Sequence, residues 1–81
     1  MTWDEVRLLK KGDIVTYDRT VAILRFRGGN DVRELVPENA PIMLIDGIWE
    51  KMDGGSWFTA MGPMGRLGQL PVSPSHMSRV S

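Results

Sequence analysis

Ile48-Trp49-Glu50-Lys51-Met52-Asp53-Gly54-Gly55-Ser56-Trp57-Phe58-Thr59-Ala60-Met61 decides how this chain folds. Two aromatic-bearing runs flank Asp53-Gly54-Gly55, the pattern of a β-hairpin. Gly54 and Gly55 lack a Cβ and can take positive φ, so the chain can reverse there without a steric penalty. A third apolar run follows Gly62-Pro63-Met64-Gly65-Arg66-Leu67-Gly68 and ends near Pro71. The stretch from Ile48 to Pro71 therefore predicts a three-stranded meander.

Outward from this hairpin, the chain reads as a series of short strands. Upstream, Ile42-Met43-Leu44-Ile45 is a buried-looking run that enters the hairpin through Asp46-Gly47. Near the start, Ile14-Val15-Thr16-Tyr17 is β-branched and aromatic, as strands prefer. Val21 to Arg27 alternates. Ala22, Leu24 and Phe26 fall on one face, expected to be the core side, with Val21, Ile23, Arg25 and Arg27 on the other. Residues 28–41 are the least regular part and read as an irregular loop, with room for a brief strand at Val32–Val36. Pro37 and Pro41 disfavour a helix across it. Downstream, Pro71-Val72-Ser73-Pro74-Ser75-His76-Met77 suits a loop with one helical turn, and Ser78-Arg79-Val80 a closing strand.

At the N-terminus, Thr2 and Glu5 have the spacing of a capping box, and Trp3, Val6 and Leu9 lie at helical spacing. A short helix from about Trp3 to Leu9 is one reading of this lead-in over residues 1–11, and an extended approach to the first strand is the other. The fold class is all-β: one small barrel of five to seven short strands spanning residues 1–81, with or without that helix. Closure into a barrel removes the unpaired edges that an open sheet of this size exposes.

Composition narrows the function. The 81 residues contain no cysteine, which excludes disulfides and thiolate metal sites, and one histidine, His76. No metal or other cofactor is expected. Ten basic and ten acidic residues cancel, unlike the strong positive charge of a general nucleic-acid binder. The charge is unevenly spread: net +2 over residues 1–33, −4 over 34–53 and +2 from Gly54 onward. No apolar run is long enough to span a membrane, and the first residues lack the pattern of a secretion signal, so a cytoplasmic protein is expected.

Residues 48–77 resemble the Src-homology-three type of small β-barrel. Glu50-Lys51-Met52-Asp53-Gly54-Gly55-Ser56-Trp57 is similar to the strand, Asp-Gly turn and Trp-bearing strand of that family. Gly65-Arg66-Leu67-Gly68-Gln69-Leu70-Pro71 is similar to its Gly-Arg-x-Gly-x-x-Pro stretch, and Pro74-Ser75-His76-Met77 to its final turn. Lys10-Lys11-Gly12-Asp13-Ile14-Val15 also resembles a phrase of that family, placed farther from the Trp hairpin than the family has it. The resemblance implies barrel topology. It would set Trp57 and Pro71 on the floor of a peptide groove, but the Ala-Leu-Tyr-Asp-Tyr segment and the final-turn tyrosine are missing.

Catalysis finds little support. His76 lies among Ser73, Ser75 and Ser78, yet neighbours in one loop rarely converge as nucleophile and base, and no G-x-S-x-G is present. The glycines form neither phosphate-binding motif. No catalytic residue is assigned. By contrast, Trp49, Trp57, Phe58, Met61, Met64, Leu67 and Pro71 together make much apolar surface for so small a barrel. Either all are core, or the surplus is exposed and marks an interface with a protein partner or a second copy. The expected function is thus a non-catalytic interaction or assembly module that forms homo-oligomers or docks on a larger protein. Short chains of this kind are common among phage and mobile-element accessory proteins, which would make it virion-associated. The alternative is a nucleic-acid-binding barrel with Lys10, Lys11, Arg19, Arg25, Arg27 and Arg33 on one basic face.

Overall fold

The computed structural model describes residues 1–27, 30–50 and 54–80, and the side chains of these except 26, 27, 30 and 31. The chain is all-β with one short N-terminal helix. Helix α1 spans Trp3–Arg7, and the strands follow as β1 Ile14–Tyr17, β2 Val21–Arg27, β3 Asn30–Val36, β4 Ile42–Leu44, β5 Trp49–Glu50, β6 Ser56–Met61, β7 Leu67–Pro71 and β8 Met77–Arg79. A single 3₁₀ turn, Pro74–His76, leads into β8. The strands make one antiparallel sheet in the order β3-β2-β7-β6-β4-β1-β8, with β5 paired on β6.

The capping box at the N-terminus forms as its spacing predicts. The Glu5 N–H donates to the Thr2 hydroxyl, and the Thr2 N–H donates to the Glu5 carboxylate. So short a helix does not hold itself together in water, and it is held by burying Val6, with Leu9 just beyond it, in the main core.

The sheet curls until its two ends share one interior. Val36 from β3, at one end of the strand order, joins Val15 and Tyr17 from β1 and Met77 from β8, near the other end, in a single buried cluster. Ile23, Ile42, Leu44, Phe58, Ala60 and Leu70 fill its middle. Two hydrogen bonds fix the curl. The Asn39 N–H, just past β3, donates to the Tyr17 carbonyl at 2.7 Å. The Tyr17 hydroxyl crosses the interior to donate to the Pro71 carbonyl on β7 at 2.7 Å. Asn39 takes a φ of +64°, a left-handed position that asparagine tolerates better than most residues.

Three expectations change. Among the described residues the strands number eight rather than five to seven, because residues 30–36 form a full strand. Within the irregular loop read over residues 28–41, residues 30–36 instead form the second strand of a long hairpin, pairing from Val21↔Val36 to Arg27↔Asn30, while 28 and 29 lie outside the described residues. Pro37 and Pro41 lie after β3 and merely end it. The faces of β2 are also reversed. Ile23 is fully buried, so Val21, Ile23 and Arg25 form the inner face, and Ala22 and Leu24 point outward. The arginine late in the run suggested a wet face, whereas Gly62 and Gly68 clear space inside for β2 and β3 side chains. The Phe26 side chain, expected in the core, lies outside the described residues.

Candidate functional site

On β6, Phe58 and Ala60 are buried, so alternation turns Trp57, Thr59 and Met61 to the outer face. The strand register then builds rows across that face. Ile14↔Met43, Met43↔Met61 and Met61↔Leu67 set four large apolar residues side by side on β1, β4, β6 and β7. Met43 is 37% exposed and Leu67 50%, and Met64, in the turn beside Leu67, is 69% exposed. A second row, Trp49↔Trp57 and Trp57↔Pro71, crosses β5, β6 and β7 at the other end of β6. Between them runs a third row, in which Thr59, Gln69 and Leu24 pair in turn and Arg33 on β3 follows.

Charge is absent from most of this face. A quarter of the chain is charged, yet among the described side chains the outward positions from β8 across to β2 carry no Asp, Glu, Lys or Arg until Arg33 on β3. The outer strand positions nearest β8 are Thr16 and Ser78, paired with each other. Charges collect elsewhere, in α1, in the turns at Lys10–Asp13 and Asp18–Arg19, and at Glu38, Asp46, Glu50 and Arg66. A solvent-facing sheet surface ordinarily mixes both signs, and charge depletion marks the centres of protein contacts.

Of the seven residues read as a contact surface, six lie on this face or its edge: Trp49, Trp57, Met61, Met64, Leu67 and Pro71. Phe58 is a correction. It is fully buried in the core, because it alternates with Trp57, and only one of two neighbours on a strand can face out. Trp57 and Pro71, which the family resemblance would bring together, do sit directly opposite one another. Ile14 and Met43 were missed. Their place in the row depends on β1 pairing with β4, a contact between segments some thirty residues apart that no local pattern announces.

Among the described side chains, the basic residues Lys10, Lys11, Arg19, Arg25 and Arg33 do not form one face. Arg19 lies in the turn after β1 and contacts Asp18. Lys10 and Lys11 lie in the turn before β1, and Arg33 on the outer face of β3. Arg25 points inward with its Nε buried and without a hydrogen-bond partner among the described residues. The Arg27 side chain lies outside the described residues.

His76 Nδ1 sits 3.0 Å from Asp18 Oδ1, tying the 3₁₀ turn to the end of β1. Among the described residues no serine hydroxyl bonds the ring, and no three carboxylate or imidazole groups gather to hold a metal. Among them, too, no helix is long and apolar enough to cross a membrane. A groove of about 500 Å³ lies between α1 and β8, lined by residues that include Leu8, Leu9, Met77 and Arg79. Compared with known proteins, the chain matches no family model, no curated protein and no solved structure.

Proposed function

We propose that this chain is a non-catalytic protein-interaction or assembly module that binds through the outer face of β4, β6 and β7. One observation carries the reading: an uncharged outer sheet face bearing the rows Ile14–Met43–Met61–Leu67 and Trp49–Trp57–Pro71. The buried interior is filled by a separate set of residues, and these rows lie outside it on the sheet's outer face. Aromatic and methionine side chains are the types enriched at contact centres, and thioethers adapt to a partner's shape. We read the curled sheet as a small barrel of Src-homology-three type, on the strength of the Trp hairpin and the Gly-Arg-x-Gly-x-x-Pro stretch. An assembly role suits an accessory protein of a phage or mobile element.

The test is the native size of the chain in a lysate of its source cells, before and after nuclease treatment. The expected result is elution well above 9.1 kDa, unchanged by nuclease and lost in Met61→Lys and Met64→Asp. Elution at the chain's own mass in the unmodified protein, or collapse of the complex on nuclease treatment, overturns the reading.

A further inference from the structure

We infer that the partner on this face is a second copy of the chain, packed sheet against sheet as a two-fold dimer. The inference rests on the interaction reading above and names its partner. Three observations support it.

The first is electrostatic. A face with no charge among its described outward side chains from β8 to β2 can be covered only by a surface that buries no unpaired charge of its own. A second copy supplies such a surface by symmetry.

The second is size. Five strands at the usual spacing, and the distance along β6 from Trp57 to Met61, outline a patch of about 700 Å² once side-chain margins are included. A stable interface of ordinary size takes about 800 Å² from each partner. That is roughly 15% of the 5169 Å² that this protein exposes. The patch therefore matches one dimer interface, with little surplus for a second partner.

The third is the form of the apolar row. Ile14, Met43, Met61 and Leu67 lie in line across four strands, perpendicular to them. A two-fold axis parallel to that line, passing over Thr59 and Gln69 midway between the rows, lays the Met43–Met61–Leu67 row of each copy over the Trp49–Trp57–Pro71 row of the other. Two sheets stacked about 10 Å apart, with strands about 30° from aligned, interlock such rows as the halves of a β-sandwich do. In the dimer, Trp57 and Pro71 lie within the contact and Arg33 lies outside it.

The experiment is light scattering of the purified chain behind a sizing column, over a hundredfold range of concentration and at low and high salt. The expected mass is twice 9.1 kDa, unchanged by salt. Met61→Lys and Leu67→Lys each raise the dimer dissociation constant at least a hundredfold while the circular dichroism spectrum is retained. Leu35→Lys, on the exposed outer face of β3 beyond Arg33, leaves it unchanged. If Met61→Lys does not fold, Leu67→Lys alone decides, because Leu67 is half exposed. A mass of 9.1 kDa at every concentration overturns the inference, as does a dimer that survives both substitutions or falls apart in salt. A purified monomer that still enters a Met61-dependent complex in lysate overturns the dimer alone and leaves the interaction reading standing. A monomer in both settings overturns both.

Discussion

The carboxylate of Glu34 occupies the space that a side chain at position 62 would need, so Glu34 and Gly62 fit together only because Gly62 has no Cβ. Glu34 projects inward from β3 opposite Ile23, and Gly62 sits just past β6. Overpacking a closed site of this kind costs about 1–3 kcal/mol. Gly62→Ala is expected to lose stability in that range, and Glu34→Ala to restore most of it when the two are combined. Urea denaturation of both single variants and the double variant measures the coupling. Simple additivity would show that the two residues do not share this space.

Glu34 itself is a cost to the fold. It is 7% exposed, and neither carboxylate oxygen has a hydrogen-bond partner among the described residues. A buried polar group left unpaired costs about 1–3 kcal/mol. Glu34→Met keeps a similar length and flexibility without the polar oxygens. It is expected to raise the denaturation midpoint, and a lower midpoint would mean that the carboxylate is stabilised in place.

Tyr17 closes the curl from inside, and its hydroxyl has no water to fall back on at 2% exposure. Tyr17→Phe removes the donor and strands the Pro71 carbonyl, at a cost of about 1–2 kcal/mol. Burial also pushes the hydroxyl well above the ordinary tyrosine value of 10.0. A raised value favours the protonated form in the folded state. Stability from this group is therefore complete below the ordinary value and is lost only as pH rises toward the higher one. Phenolate absorbance in an alkaline titration is expected to rise only as the fold is lost. A rise near the ordinary value in the folded protein contradicts the buried hydrogen bond.

The capping box gives the opposite sign in acid. The Thr2 backbone N–H, and then the Thr2 hydroxyl, hold the Glu5 carboxyl below its ordinary value of 4.5. A lowered value favours the ionised form in the helix. Its contribution is present above the ordinary value and fades as pH falls through the lowered one. The Thr2 amide proton shift is expected to titrate with a midpoint below 4.5, and Glu5→Gln to flatten the curve. A midpoint at or above 4.5 would show that the cap does not form in solution.

What is legible in the sequence itself is whatever is local. The Thr2–Glu5 box, the strand Ile14–Tyr17 and the pairing of Trp49 with Trp57 each depend on residues close in sequence. The turn of that hairpin is described from Gly54 on, where φ is +91° as an Asp-Gly-Gly reversal requires, while Asp53 lies outside the described residues. The misread parts depend on distant neighbours. Arg25 and Glu34 looked solvated because charged residues usually are, and only Gly62 and Gly68, on another hairpin, make room for them inside. The apolar outer face was half legible. Composition marked Trp57, Met61, Met64 and Leu67 as surplus, but Ile14 and Met43 join them only once the sheet order is known.

The pairing of β1 with β8 sets the tempo of folding. Thr16 lies opposite Ser78, and Tyr17 opposite Met77, across some sixty residues of intervening chain. During synthesis β1 can pair with β4 first, but its other edge stays unpaired until β8 has left the ribosome. Loop closure over that span must precede its reward, which places the domain among slow-folding small proteins, in the range of milliseconds to seconds. A chaperone that shields Val15 and Tyr17 in the interval would act on the step where this protein is most vulnerable to aggregation.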